Sequence, residues 1–190
     1  LLGAVGTITN WESSTDNGLT WSPIANTTTN LNYLNLIDTT VYRVIVTNGV
    51  CNADTSTLAT ILIDEVSLGG VVTLDDTVCS GNNSGSVTLS GHRGTVDGWE
   101  FSTDGGFTWI NISNSTTTQN FLNLTATTMY RARVQNGVCS PVNSTFATIT
   151  VDPPATGGTV TGSTTVCSGA NSGSLVLTGY SGNIVSWETS

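Results

Sequence analysis

The chain repeats itself every 88 residues. Trp11, Trp99 and Trp187 stand 88 apart, as do Cys51 and Cys139, Cys79 and Cys167, Gly70 and Gly158, and Tyr42 and Tyr130. Laying each residue on the one 88 positions later leaves 190 − 88 = 102 comparable positions, and 54 of these are identical without a gap. Self-similarity at a fixed period means that one structural unit recurs, so any fold given to the chain must close within 88 residues. That length suits one small β-sandwich. Residue 1 is in phase with Leu89 and residue 190 with Ser102, so the sequence reads as a window on a longer array. The organisation expected is an incomplete repeat over 1–65 that lacks its first strands, a complete repeat over 66–153, and an incomplete repeat over 154–190 that holds first strands only.

Within one period the pattern is that of short strands. Val71 to Val78 reads as a first strand and Ser80 to Gly85 as a loop of turn formers, followed by Ser86 to Ser90 with alternation. Val96 to Ser102 carries Trp99 and turns at Thr103-Asp-Gly-Gly106 into Phe107 to Ile112. Asp-Gly between two such runs is a strong hairpin signal. Asn120 to Leu124 follows, then Thr128 to Gln135, where Tyr130, Ala132 and Val134 alternate with Arg131, Arg133 and Gln135. Asn136-Gly137 closes another hairpin onto Ser144 to Val151. About seven strands at a spacing of roughly 8–12 residues, with no helical periodicity, predict an all-β chain of tandem immunoglobulin-like sandwiches. Ile63 to Leu68 and Val151 to Thr156 fall at one phase and read as linkers, the second stiffened by Pro153-Pro154.

Composition narrows the function. The chain has 13 acidic residues against 4 arginines, no lysine, and a formal net charge of −9. Such a surface repels nucleic-acid phosphates and anionic membranes. No apolar run approaches the roughly 20 residues of a membrane span. Helix formers are scarce while Thr and Val abound, which favours strands. Without lysine, Lys–Asn isopeptide crosslinks are chemically unavailable and any covalent staple must come from cysteine.

Each period has two cysteines, one after the first strand and one past the Asn-Gly turn. One pair per small β-domain suggests an oxidising exterior. The pairing expected is Cys79–Cys139 within one repeat; it closes a loop of about 60 residues, worth about 4 kcal/mol in the chain-entropy model. Cys51 and Cys167 then pair outside this sequence. The rival pairing, Cys51–Cys79 with Cys139–Cys167, staples neighbouring repeats instead. Single cysteines and one histidine do not make a zinc site, and neither a metal nor a cofactor is expected.

Candidate chemical groups are few. His92, the one histidine, has Ala4 and Tyr180 as phase-mates and reads as an exposed loop residue. No Ser/His/Asp set recurs per period. Trp99-Glu100 recurs as Trp11-Glu12 and Trp187-Glu188, but a glycosidase needs two carboxylates facing one cleft, and a Glu beside a core Trp points to the opposite, solvated face. No catalysis is expected. Asn26, Asn82, Asn111, Asn114, Asn123 and Asn143 begin N-x-[ST] matches, which arise by chance in so Asn- and Thr-rich a chain.

Ser14-Thr-Asp-Asn-Gly-Leu-Thr-Trp21 and Ser102-Thr-Asp-Gly-Gly-Phe-Thr-Trp109 share the pattern S-x-D-x-G-x-T-W, which resembles the Asp-box of sialidases and other secreted β-proteins. The resemblance implies a structural hairpin remote from any catalytic centre. Physically, Asp16 and Asp104 can accept hydrogen bonds from turn amides, Gly18 and Gly106 permit positive φ, and Trp21 and Trp109 anchor the hairpin in apolar packing. Asp76-Thr77-Val78 and Asp38-Thr39-Thr40 resemble the O-glycosylation sequence of Bacteroidota, which points to Thr77 and Thr39. Finally, Thr-Val-Cys-Ser-Gly, Trp-Glu-x-Ser-Thr-Asp-x-Gly-x-Thr-Trp and Tyr-Arg-x-x-Val-x-Asn-Gly-Val-Cys are similar to repeats of giant Bacteroidota surface proteins exported by type IX secretion, the gliding-motility adhesins among them. That likeness implies an extracellular, cell-surface stalk. Its partners would be neighbouring repeats, a fibre formed by lateral self-association, and surface polysaccharide bound through regions outside this sequence. Two other readings stand beside it: a carbohydrate-binding array, which needs exposed Trp21, Trp109 or Trp99, and a spacer for a secreted enzyme.

Overall fold

The computed structural model describes residues 5–190. The chain divides into two compact units, Leu1–Glu65 and Val66–Ser190. Every regular element among the described residues is a β-strand.

In the first unit, β1 (Thr7–Ser14), β2 (Ser22–Ile24), β3 (Thr40–Thr47), β4 (Asp54–Thr55) and β5 (Ala59–Ile61) form one sheet in the order β2-β1-β3-β4, with β5 also on β3. These strands are the phase-mates of the later part of the complete repeat. That repeat contains β6 (Val71–Thr73), β7 (Asp76–Cys79), β8 (Ser84–Ser90), β9 (Thr95–Ser102), β10 (Ile110–Ile112), β11 (Thr118–Leu122), β12 (Thr128–Gln135) and β13 (Val142–Asp152). Two sheets result, β10-β9-β12-β13-β7 and β11-β8-β6. This is an immunoglobulin-like sandwich, whose first strand is shared between both sheets.

The run Val71 to Val78, expected as one strand, breaks at Leu74-Asp75. β6 pairs antiparallel with β8, whereas β7 crosses to the other sheet and pairs parallel with β13. Leu74 makes the crossing at φ 90° and Asp75 Oδ1 accepts from Thr148 N at 2.6 Å. The parallel pairing fixes the polarity of the unit. The chain comes in at a leading end, where Leu68 bridges Arg93 and β12 turns into β13, and leaves at a trailing end, where Cys79 is in register with Asp152.

Alternation builds the core. On β12, Tyr130, Ala132 and Val134 are buried; on β8, Val87 and Leu89 are. Trp99 of β9 is fully buried against them, and its Nε1 donates to Thr116 O at 2.8 Å. The Tyr130 ring lies 6.5 Å from Phe101 and 6.4 Å from Phe121 between ring centres. In antibody domains an inter-sheet disulfide packs on the strand-C Trp; here Val87 and Ala132 belong to the same buried cluster as Trp99, and the cysteines lie outside it. The third repeat contributes the hairpin β14 (Thr159–Thr161) and β15 (Val176–Thr178). Its Trp187 is 57% exposed and its phase-mate Trp99 0%; the positions in phase with β10 to β13, which help enclose Trp99, fall after residue 190.

Candidate functional site

The period is written in hydrogen bonds as well as in residues. At the end of β9, the buried Ser102 hydroxyl donates to Asp104 Oδ1 at 2.7 Å and accepts from Gly106 N at 2.9 Å. Asp104 also accepts from Thr108 N at 2.9 Å and from Thr108 Oγ1 at 2.5 Å. Trp109 Nε1 closes the hairpin on Gly106 O at 2.9 Å. One period earlier, Ser14 donates to Asp16 at 2.6 Å, Asp16 accepts from Thr20 N at 2.9 Å, and Trp21 donates to Gly18 O at 3.0 Å. Gly18 and Gly106 have φ of 90° and 89°. Donors crowding one carboxylate stabilise its charged form. The Thr108 hydroxyl and amide, then the Ser102 hydroxyl, hold the Asp104 carboxyl at about 2; those of Ser14 and Thr20 hold Asp16 far below the usual carboxylate range.

The two hairpin tryptophans are not core residues as expected. Trp109 is half-buried on the surface, with the Arg131 guanidinium carbon 3.9 Å from its ring centre. Arg131 Nε in turn binds Glu100 Oε2 at 2.6 Å. Trp21, Arg43 and Glu12 repeat the stack at 3.9 and 2.6 Å. Glu100 is therefore an ion-paired residue, with 14% of its side chain exposed, rather than a solvated one. The sequence held a signal for this: two of the four arginines recur at one phase, as do the Glu and Trp they join.

No carboxylate pair is available for acid–base work in this region. Asp97 and Glu100 line one groove of about 360 Å³, but Arg133 Nε binds Asp97 at 2.7 Å and Arg131 binds Glu100. A second, mainly apolar cleft of about 330 Å³ opens beside Phe101, Ile112, Leu124 and Tyr130. The Tyr130 hydroxyl there has its pKa raised by burial. Among the described residues no cluster of His, Cys, Asp and Glu could hold a metal ion. His92 is half-buried rather than exposed, with its Nδ1 buried and unbonded.

The pairing Cys79–Cys139 is not made. Cys51, Cys79 and Cys167 are exposed free thiols, and Cys139 is half-buried. The cause is topological. Cys79 is level with Asp152, and Cys139 lies in the turn before Val142, so all of β13 separates them. Ten residue steps of strand amount to about 30 Å, whereas a disulfide needs Cα atoms within about 7 Å. Of the rival pairing, Cys51 and Cys79 are both exposed free thiols.

Thr77 is exposed on the edge strand β7. Thr39 is also exposed, but its Oγ1 accepts from Ile63 N at 3.1 Å, as Thr127 does from Val151 N. Asn26 and Asn114 use their side-chain amides inside loops, each donating to a carbonyl four residues on at 2.9 and 2.8 Å. Of the three tryptophans that the carbohydrate-binding reading names, Trp99 is enclosed, and Trp21 and Trp109 each lie under a guanidinium.

The chain belongs to the family described as Domain of unknown function (DUF8696), which matches residues 1–65 and again 68–153. No protein of curated function matches it. Among solved structures it is similar to the N-terminal four Ig domains of Dscam1 isoform 4.44, at 13% identity and a TM-score of 0.36, over 75% of this chain and 37% of that one. It is also similar to the FN1–FN3 domains of chicken CNTN1, at 13% identity and a TM-score of 0.34, over 83% and 62%. The chain spans less than two thirds of the length of either. No helix among the described residues is long and apolar enough to cross a membrane.

Proposed function

We propose that this chain is a non-catalytic stretch of a long, secreted cell-surface adhesin or filament, in which immunoglobulin-like repeats form a stalk for adhesion or gliding motility. The observation that carries the reading is the recurrence, at 88 residues, of one hairpin, one Trp–Arg–Glu stack and one tryptophan-capped loop. What recurs is scaffold: hydrogen bonds, a cation–ring stack and an ion pair that hold the hairpin and the loop in place. Neighbouring repeats are its first partners, with lateral self-association and surface polysaccharide, engaged outside this sequence, as further ones. Type IX export follows from the resemblance of the repeat motifs. Exposure on an edge strand favours Thr77 over Thr39 as a glycan acceptor, because the Thr39 hydroxyl already serves the backbone.

The test is an antibody raised against residues 66–153 and applied to intact cells that make the protein. Labelling of projections outside the envelope is expected, with reduced adhesion or gliding when the repeats are deleted. Labelling only after permeabilisation would overturn the reading. Mass analysis of the protein shed from the same cells should show a glycan on the peptide holding Thr77, and a bare polypeptide mass removes that part.

A further inference from the structure

The groove of about 360 Å³ beside β9 and β10 is where the complete repeat departs from the period. Asp97, Gly98, Glu100, Asn111, Ser113 and Arg133 line it. Of these only Glu100 has its own residue type in phase, at Glu12; the others are in phase with Thr9, Asn10, Pro23, Ala25 and Ile45. The first repeat therefore has neither the Asp97–Arg133 ion pair nor the polar side chains of Asn111 and Ser113. Trp99 and Ile112 beside them are kept as Trp11 and Ile24. Gly98 is the telling difference. A glycine inside a strand weakens it and marks a bulge or a place that a ligand or a second backbone approaches closely. The bulge does not require it. β1 has the same irregularity between Ile8 and Asn10, and Asn10 pairs there with Ile45 as Gly98 does with Arg133. Gly98 is not at positive φ, and a Cβ added to it would meet only Ile112 O, at 3.5 Å, an ordinary contact. Neither conformation nor packing calls for glycine, so what Gly98 supplies is open space on the floor of the groove. The first repeat fills that phase with the Asn10 side chain, whose Nδ2 donates to Trp11 O at 3.0 Å.

The groups around that space keep hydrogen-bonding capacity. Arg133 Nε and Nη2 both donate to Asp97 Oδ2, the first at 2.7 Å, which leaves Asp97 Oδ1 to accept and Arg133 Nη1 to donate. Among the described residues no protein group engages the Asn111 amide or the Ser113 hydroxyl, whereas Asn26, Asn83 and Asn114 commit theirs inside loops. Asp97 and Glu100 are each neutralised by an arginine. A charged ligand must break one of these pairs and a neutral ligand need not. Adjacent donors and acceptors of balanced charge suit a polyol, since each hydroxyl both donates and accepts. The volume lies at the lower end of small-ligand sites. We propose that this groove binds a short neutral saccharide. The sugar ring sits over Gly98, Asp97 Oδ1 accepts from one hydroxyl, and Arg133, Asn111 and Ser113 bind its neighbours. The site is separate from the hairpin tryptophans, and the proposal does not rest on the stalk reading.

The test is an NMR titration of the full, isotope-labelled chain with maltose, cellobiose, lactose and mannobiose in turn. At least one sugar should move the Gly98 amide, the Asn111 side-chain amide and the Arg133 Nε–H together along a saturating curve. Millimolar affinity is expected of so open a groove. Gly98→Asn places the first repeat's own residue on the floor and should weaken binding by about tenfold or more. Asp97→Thr combined with Arg133→Ile removes both charges, leaves neither unpaired, and should weaken it by about as much. Unmoved signals elsewhere in the spectrum show that each variant folds. No shift with any of the four sugars, shifts centred on Trp21 or Trp109, or binding untouched by Gly98→Asn would each overturn the proposal. Free glutamate moving the same signals as far as the sugars would overturn it too. None of these outcomes bears on whether the protein lies at the cell surface, which the antibody test decides.

Discussion

Leu74 holds a backbone conformation that leucine disfavours. Its φ is 90°, while its phase-mate Gly162 sits at 111° without a side chain to clash. A bulky residue at positive φ costs roughly 1–3 kcal/mol. Replacement by glycine returns about 0.5–1 kcal/mol of that in chain entropy, and Leu74 is 58% exposed, so little burial is lost. Leu74→Gly in the 66–153 repeat is expected to stabilise by about 1 kcal/mol, raising the thermal midpoint by roughly 4 °C or more. A lower midpoint would mean that the leucine packs better than its exposure indicates. Hydrophobicity alone places Trp109 in apolar packing, and strand alternation places Glu100 in solvent. Both instead meet Arg131 across the sheet, a pairing that alternation along one strand does not encode.

The hairpin after β9 is an element whose stability is tied to one charge. Asp104 titrates at about 2 in the folded chain against an ordinary 3.8. The native state therefore binds this proton less readily than the unfolded chain does. Its stabilisation is present above about pH 4 and is lost as pH falls from there through about 2. In thermal scans of the 66–153 repeat between pH 7 and 2, Asp104→Asn should lower the midpoint at neutral pH and flatten the acid limb. Equal acid limbs in both proteins would show that the carboxylate contributes nothing. This hairpin was legible because Ser, Asp, Gly, Thr and Trp each have a local task at a fixed offset. The break between β6 and β7 was not, since Val71 to Val78 alternates well enough for one strand. Only Gly162, one period on, marks the crossing.

For the whole molecule, the period located the unit, and the structure shows what closing a unit requires. Phe121 is 5% exposed, whereas its phase-mate Tyr33 is 56% exposed, because 1–65 contains no strands in phase with β6, β7 and β8. Residues 66–153 made alone should unfold in one cooperative step with blue-shifted Trp99 emission. Residues 1–65 made alone should show neither, since one sheet has nothing to pack on. A cooperative transition in 1–65 would shift the repeat boundary. Two cysteines per period suggest one bond per period, and only the register of β7 against β13 reveals that Cys79 and Cys139 lie at opposite ends of the unit.

That same register decides how the unit responds to a pull. The first strand on the larger sheet, β7, and the last, β13, lie side by side and parallel, with the chain arriving at one end and departing at the other. Tension on the two linkers draws these strands past each other along their length. The four register pairs from Asp76–Ile149 to Cys79–Asp152 then share the load together, as in a lap joint, instead of parting one after another like a zipper.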